Sequence, residues 1–334
     1  MLRWAAFFGL LGLFVATGLI VWSGYDALVA ALQTAGWGIL WTSLFHLVSM
    51  LACVIGWRAL MPGRKRISIP FLYYVLWLRA AVNNLMPVAR IGGEIVAVRV
   101  MVKHRFRRSI AVASTVVELT SSVIAVFIFD ILGIGLFALH VTNHDLGLKL
   151  LAGLLISVPP IAAMVYVQKL GFFGVLDKIF TVMLRDTWKD IVNNRFAGSV
   201  AMLDRAVHSL YRRYGNVVFC TVWQFIAWAL GAVEIGLGLH YLGHPLDWTE
   251  CVMVEALIQA SASIAFAVPG AIGVQEAGFV FFGGMLGLPR ETALALAVIR
   301  RCRDLIIYVP GLLVWQAQEG RWLFSRSAPQ QIDG

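Results

Sequence analysis

Long apolar runs separated by short polar connections dominate the chain and predict membrane-spanning helices. Six of these runs are close to or above the roughly 20 residues that cross a bilayer. They cover residues 4–22, 37–60, 110–139, 148–167, 217–242 and 292–315. The first run does not end in a signal-type cleavage site, so we expect it to stay as a span. The pattern therefore predicts an all-α polytopic membrane protein with about six full spans.

Two further apolar segments, 70–102 and 251–288, are interrupted at their centres by polar residues, proline and glycine. Basic residues flank the first segment at both ends, at 64–66 and 103–108, so both ends are expected on the same side of the membrane. Irregular backbone inside the membrane is tolerated only where it is buried in protein or lines a water-filled cavity. We therefore predict two re-entrant broken hairpins. Their expected structural breaks are Pro87, Gly92 and Gly93 in the first, and Pro269, Gly270 and Gly273 in the second.

The distribution of lysine and arginine predicts that the N-terminus and the C-terminus are both cytoplasmic. Segment 168–214 carries eight Lys/Arg against four Asp and is expected to be a helical, cytoplasmic segment along the anionic membrane surface. We divide a single membrane domain, 1–330, into successive parts and end it with a cytoplasmic tail, 321–334. The parts are two N-terminal spans (1–69), a first repeat core (70–140), a span (141–167), the basic segment (168–214), a span (215–248) and a second repeat core (249–320).

The two hairpins show a common spacing that indicates an internal repeat. Pro87 precedes Glu94 by seven residues and Pro269 precedes Glu276 by seven, so one offset of 182 residues (276 minus 94) relates both pairs. The first hairpin is expected to enter from the cytoplasm and the second from outside, which makes the halves inverted copies, as in many transporters. The alternative is two independent helices kinked at structural prolines.

Four charged residues lie inside the last predicted span, at Arg300, Arg301, Arg303 and Asp304. Each charge at the centre of a lipid-exposed helix costs about 2.5–3.5 kcal/mol, so these side chains must face protein or water. Asp304 is spaced to pair with Arg300 or Arg301 along the helix. The remaining arginines then need an acidic partner elsewhere or a ligand.

The predicted polar centre contains more arginines than acids: Arg79, Arg90, Arg99, Arg300, Arg301 and Arg303 against Glu94, Glu118, Glu276 and Asp304. The guanidinium group suits phosphate and carboxylate, so this excess favours an anionic or zwitterionic headgroup. The alternative is that the charges pair internally and only hold the two halves in register. The expected substrate-binding residues are Asn83, Asn84, Arg90, Glu94, Glu118, Glu276, Arg300, Arg301, Arg303 and Asp304.

Composition excludes several other classes of function. With 60% hydrophobic residues, 13% charged residues and a mean hydropathy of +0.81, the 334-residue chain is not a soluble globule. Its formal charge of +9 therefore indicates loops beside anionic lipid rather than nucleic acid as a partner. Four cysteines without C-x-x-C spacing make a disulfide framework or a zinc site improbable. No nucleophile, base and oxyanion hole can be composed, so we expect no enzyme, no cofactor and no metal. His140 with His144, Asp130 and Glu234 are weaker candidates for a functional role.

Two stretches, NNLMPVARIGGEIVAVRV at 83–100 and VPGAIGVQEAGFVFFGGMLGLPRETALALAVIRRCR at 268–303, resemble a flippase-like family. This family includes the transmembrane region of lysylphosphatidylglycerol synthases, and the small proteins associated with hopanoid biosynthesis in Gram-negative bacteria are the most similar branch. The resemblance covers about 60–315 and implies a lipid translocase of the bacterial inner membrane. It identifies Glu94, Glu276 and the arginines at 300–303 as the matching polar residues. The synthases carry a soluble aminoacyl-transferase domain, whereas this sequence ends at Gly334, so aminoacylation by this chain alone is not expected.

Two functions fit these observations. The first is a flippase that moves an amphipathic lipid, a hopanoid or a phospholipid, between leaflets while the central charges hold its headgroup. The alternative is a membrane scaffold that presents lipid precursors to a separate biosynthetic enzyme through the basic segment. The expected partners are a membrane lipid and, in the second case, an enzyme of lipid biosynthesis.

Overall fold

A computed structural model describes residues 25–61, 67–86, 92–140, 197–264 and 273–326, together with isolated helical positions between 152 and 166. These residues fold into helices without strands, which confirms the all-α class. The helices are α1 (Tyr25–Ala35), α2 (Gly38–Leu60), α3 (Ile69–Leu85), α4 (Gly92–Lys103), α5 (Arg108–His140), α6 (Ala197–Tyr211), α7 (Tyr214–Tyr241), α8 (Trp248–Ile264), α9 (Val274–Met285) and α10 (Arg290–Arg326).

Three described helices, α2, α5 and α7, are long and apolar enough to cross a membrane. They match the runs predicted at 37–60, 110–139 and 217–242. Large apolar side chains on their outer faces are exposed, including Val48, Ile128 and Val222. This is the arrangement expected of helices that face lipid. The first predicted span lies outside the described residues, and the total number of spans and the side of each terminus stay predictions.

The last helix is longer than its apolar run. We predicted a span over 292–315, but α10 continues to Arg326 and includes the start of the predicted tail. Its outer face exposes apolar residues such as Leu305 and Leu313, while Arg303 and Asp304 are buried on the inner face. One helix can thus be apolar towards lipid and charged towards the protein. Near the N-terminus, α1 lies between the predicted runs 4–22 and 37–60, in a segment that the sequence pattern predicted to be only a connection between two spans.

Two helical hairpins occupy the predicted positions, α3 with α4 and α8 with α9. α4 and α9 have 12 residues each and begin at 92 and 274, and α5 and α10 begin at 108 and 290. Both pairs of starting points differ by the predicted 182 residues (274 minus 92 and 290 minus 108). The helix boundaries agree with the predicted repeat, whereas the opposite orientation of its halves stays a prediction. Pro87, Pro269 and Gly270 lie outside the described residues.

Each hairpin contributes to its own apolar core. The first core joins α3 and α4 to α2, the N-terminal half of α5 and residues Val207 and Leu210 of α6. The second core joins α8 and α9 to the C-terminal halves of α5 and α7 and to the first turns of α10. α5, α7 and α10 pass through both cores. The polar residues of these three helices lie where one core ends and the other begins.

Candidate functional site: a charged layer around a central cavity

The residues between the two apolar cores form a charged layer. α5 contributes Glu118 just after the buried Val117, α7 contributes Gln224, and α10 contributes residues 300–304 between Ile299 and Ile307. Long apolar helices can hold these polar groups because each one faces the protein interior and finds a partner there. Among the described residues, the layer contains three groups of linked side chains that surround a cavity.

The first group is centred on Arg79 of α3. Its Nε donates to Glu94 Oε1 at 2.8 Å, and its Nη1 donates to Glu118 Oε2. Gln224 of α7 donates from Nε2 to the other oxygen of Glu118 at 2.7 Å. Asn83 completes the hairpin, because its Oδ1 accepts the backbone N–H of Gly93 at 2.8 Å. One arginine thereby links both arms of the first hairpin to the following helix.

The second group fixes the start of α9. Glu276 accepts the backbone N–H of Gly273 through Oε2 at 2.6 Å and the Nε of Arg301 through Oε1 at 2.7 Å. Gly273 has a φ of +83°, in the left-handed region that favours glycine. Glu276 therefore caps the second helix of its hairpin and binds α10 at the same time.

The third group is centred on Arg303, a buried residue of α10. Its guanidinium donates to Asp304 Oδ1 at 2.6 Å and to Glu234 Oε1 of α7 at 2.6 Å. The other oxygen of Glu234 lies 2.9 Å from His46 Nδ1, and His46 Nε2 lies 2.9 Å from the hydroxyl of Tyr308. A continuous chain of hydrogen bonds thus joins α2, α7 and α10.

The cavity lies between these groups and has a volume of about 270 Å³. Arg300 and Glu255 form part of its wall, and Arg300 Nη2 donates to Glu255 Oε1 at 2.6 Å. The other nitrogen, Arg300 Nη1, the other oxygen, Glu255 Oε2, and the hydroxyl of Ser49 are buried and have no hydrogen-bond partner among the described residues. The rest of the wall is made of His46, Asn83, Asn84, Ala227, Trp228, Gly231, Glu234, Gln259, Gln275, Arg303, Asp304 and Tyr308.

Unpaired donors and acceptors in the wall of a cavity indicate space for a polar ligand or for ordered water. A buried group that lacks a hydrogen bond costs about 1–3 kcal/mol, and more when it is charged. The cavity offers both a guanidinium N–H and carboxylate oxygens. It can therefore bind a headgroup that contains an anionic oxygen, a donor or both.

Most of the predicted substrate-binding residues lie in this layer. Asn83, Asn84, Arg300, Arg303 and Asp304 line the cavity. Four others, Glu94, Glu118, Glu276 and Arg301, belong to the adjoining groups of ion pairs. Arg90 lies outside the described residues.

The expected pairing of Asp304 is only partly found. It lies 3.8 Å from Arg301, but its shorter contacts go to Arg303. Arg300 binds Glu255 instead. Spacing along one helix favours pairs three and four residues apart, whereas here Arg303 beside it is the closer partner of Asp304, and Glu255 on α8 is the partner of Arg300.

The predicted excess of arginine is not found among the described residues. Arg99 lies on the exposed face of α4 rather than in the layer. The layer also contains acids that the sequence count left out, so six carboxyl groups stand beside four guanidinium groups among the described residues. The acids are Glu94, Glu118, Glu234, Glu255, Glu276 and Asp304, and the arginines are Arg79, Arg300, Arg301 and Arg303.

Glu255 and His46 are the main residues that sequence reasoning missed. Both are single polar residues within helices, and neither stands near a proline–glycine break. A signal for Glu255 was nevertheless present, because it is a carboxylate in the middle of an apolar hairpin helix with no basic residue one turn away. Within the described residues, no group of three or more His, Cys, Asp and Glu side chains is placed to hold a metal ion.

Comparisons with protein families and with individual known proteins both identify membrane proteins as similar to this chain. The family model described as "Lysylphosphatidylglycerol synthase TM region" matches residues 9–311. The chain is 23% identical over 319 residues to UPF0104 membrane protein PH1989 of Pyrococcus horikoshii, a match that covers 91% of this chain and 93% of the relative. No solved structure matches the chain with significance.

Proposed function

Because the chain belongs to the family of the lysylphosphatidylglycerol synthase transmembrane region, we propose that it is a lipid translocase of the bacterial cytoplasmic membrane. A lipid enters sideways between the two halves, its headgroup occupies the central cavity, and its acyl or ring portion stays in the bilayer. The observation that carries the proposal is a charged cavity between two apolar cores whose wall contains Arg300 Nη1 without a partner in the described chain.

The chemistry of the cavity favours a headgroup that contains phosphate or another anionic group. The unpaired guanidinium nitrogen can donate to such an oxygen, and the side-chain amide of Gln259 in the wall can act as donor or acceptor. Trp228 adds an aromatic wall. The alternative, that the charges only hold the protein together, does not account for Arg300 Nη1, a donor in the cavity wall that has no partner among the described residues.

The arrangement of the hairpins supports alternating access. The second helix of each hairpin packs against a long helix that passes through both cores, α4 against α5 and α9 against α10. If the halves are inverted copies, a rocking motion about the charged layer exposes the same cavity to one leaflet and then to the other. Such a pair of repeats requires corresponding helices to begin at a constant offset along the chain, as α4 and α9 do and as α5 and α10 do.

The test measures the movement of a fluorescent phosphatidylglycerol between leaflets of liposomes that contain the purified full-length protein. Arg300→Ala should slow translocation by about tenfold or more, since truncating one partner of a buried charge pair costs at least about 2 kcal/mol. The matched control is Arg212→Ala, which removes an exposed arginine that does not line the cavity. Equal rates for wild type, Arg300→Ala and protein-free liposomes would reject the proposal.

A second variant separates loss of transport from loss of folding. Asn84→Ala removes a cavity amide whose side chain donates within its own helix, to the carbonyl of Ala80 at 2.9 Å. Its thermal unfolding should stay close to that of wild type. A reduced rate in this stable variant would show that the cavity itself carries the activity.

A further inference from the structure

The 182-residue offset that relates the two hairpins also relates the helices in front of them. It places α2 on residues 220–242, all of which except the last lie in α7. The two helices pack antiparallel. A Cβ atom at Gly38, at the start of α2, would overlap Tyr241 at the end of α7, and one at Gly56 would lie 3.1 Å from the carbonyl oxygen of Cys220. Inverted repeats require corresponding helices to run in opposite directions. Residues 182 apart can therefore be compared as equivalent positions of the two halves.

The cavity uses the two hairpins unequally. Among the described residues, α8 lines it with Glu255 and Gln259, whereas α3 lines it only with Asn83 and Asn84, next to the hairpin break. Trp77 of α3 is equivalent to Gln259 (259 minus 77 is 182) but is not part of the wall. The cavity thus extends along the second hairpin and stops short along the first.

A close contact between α3 and α10 ends the cavity on the side of the first hairpin. Trp77 Nε1 donates to the carbonyl oxygen of Ile307 at 2.7 Å. A Cβ atom at Gly311 would lie 3.0 Å from the ring of Trp77 and 3.0 Å from the Cβ atom of Ala81, which is 0% exposed. Glycine lets the two helices approach closely here, one turn beyond Tyr308 in the cavity wall. The last turns of α3 are therefore packed against α10 without a gap for a headgroup.

Within the described residues, the equivalent end of α8 is not packed in this way. α8 meets α5 at Gly133, where a Cβ atom would overlap the Cβ atom of Ala256. Ser263, which is equivalent to Ala81 (263 minus 81 is 182), lies about two turns closer to the hairpin break and is exposed. The end of α8 thus stands away from α5, and Gln259 lines the cavity there.

We propose that the contact of α3 with α10 at Gly311 is a gate, and that it opens when the equivalent ends of α8 and α5 close on each other at Ser263 and Phe129. Phe129 is equivalent to Gly311 (311 minus 129 is 182). It is 1% exposed and lies one turn before Gly133 on α5, so it faces α8. This inference rests on the alternating access proposed above and identifies the contacts that exchange. Rocking of the halves then opens the same cavity along the first hairpin instead of the second.

Pairs of introduced cysteines test the exchange in the full-length protein in phosphatidylglycerol vesicles, with its four native cysteines replaced by alanine. Ala81→Cys with Gly311→Cys should form a disulfide in the present arrangement, because the Cβ atoms of a disulfide lie about 3.5–4.5 Å apart. Phe129→Cys with Ser263→Cys should form one more slowly, each time the gate opens. The control pair is Ile128→Cys with Ser263→Cys, since Ile128 is on the outer face of α5 and 47% exposed. A Phe129–Ser263 pair that reacts no faster than this control would overturn the exchange.

A substitution at the gate tests the coupling between the two ends. Gly311→Ala adds a Cβ atom against Trp77 and Ala81 and should hold the gate apart. In the Phe129→Cys, Ser263→Cys protein it should speed disulfide formation by about fivefold or more, because it raises the population of the open gate. Gly135→Ala is the control, since a Cβ atom there meets nothing within 4 Å. Equal rates with the two substitutions would overturn the coupling.

A single cysteine gives a second measurement that leaves Phe129 in place. Ala81→Cys should react slowly with a small water-soluble maleimide, because it becomes accessible only when the gate opens. Ala111→Cys, at an equally buried position of α5, should stay unlabelled, and equal rates for the two would overturn the gate. Neither cross-linking nor labelling depends on lipid movement. A gate that opens in a protein that fails to translocate lipid would count against the proposed function, whereas translocation by protein locked with the 81–311 disulfide would count against the gate.

Discussion

Glu255 accepts a hydrogen bond from Arg300 at 2.6 Å and so ties the first helix of the second hairpin to the helix that follows the hairpin. Arg79 and Glu118 make the corresponding connection in the first half, from α3 to α5. The charges are exchanged, since the arginine lies on the hairpin in the first half and on the following helix in the second. In both halves an arginine–glutamate pair thus joins the first helix of the hairpin to the helix that follows it, but the arginine and the glutamate have exchanged helices.

Replacement of Arg79 should destabilise the first half severely. Arg79→Ala leaves Glu94 and Glu118 buried without their cation, and breaking a buried ion pair by removal of one partner costs about 3–5 kcal/mol. Thermal unfolding of the detergent-solubilised protein measures the loss. Arg79→Ala combined with Glu118→Gln should be more stable than Arg79→Ala alone, because the second change removes one of the two uncompensated charges. If the double variant is less stable than the single, Glu118 has another partner that matters more.

Exchange of the charges of Arg300 and Glu255 should separate the effect of the ion pair on stability from the effect of Arg300 on translocation. Each single reversal, Arg300→Glu or Glu255→Arg, places two like charges together and should lower the unfolding temperature. The double reversal restores an opposite pair and should recover much of that loss, by a coupling of about 0.5–3 kcal/mol. Translocation should not recover, since the guanidinium that faces the headgroup has moved to α8. Recovery of transport with stability would mean that only the presence of the pair matters.

The sequence predicted the parts of the fold that depend on local patterns. Apolar runs located α2, α5 and α7, and proline–glycine breaks beside Glu94 and Glu276 located both hairpins. The pairing of the charges was not predictable, because Arg79, Glu118 and Gln224 meet only when three helices pack together. Glu255 and His46 were missed for the same reason: an isolated polar residue in an apolar helix indicates that a partner exists but not which one. Among the described residues the layer therefore holds more carboxyl groups than arginines, whereas the sequence count predicted more arginines.

A methyl group at Gly93 should disrupt the first hairpin. A Cβ atom there would overlap the carbonyl oxygen of Arg79 and the side-chain amide of Asn83, which holds the Gly93 N–H. We expect Gly93→Ala to cost about 1–3 kcal/mol in unfolding free energy, as for other overpacked sites. The control is Gly135→Ala in α5, where a Cβ atom meets nothing within 4 Å. This change should be neutral or should stabilise the helix by up to about 1 kcal/mol. Equal effects of the two substitutions would mean that α3 and α4 are not in close contact.

Charge reversal on the basic segment should discriminate translocation from presentation of lipids to a separate enzyme. Arg212 and Arg213 are exposed between α6 and α7, outside the charged layer. If the protein moves lipid by itself, Arg212→Glu with Arg213→Glu should leave the rate in liposomes within about twofold of wild type, because exposed charges contribute little to stability and do not line the cavity. Their effect should also be smaller than that of Arg300→Ala in the same vesicles. If the segment instead docks an enzyme, the same reversal should abolish function in cells while Arg300→Ala retains it, and this result would favour the scaffold.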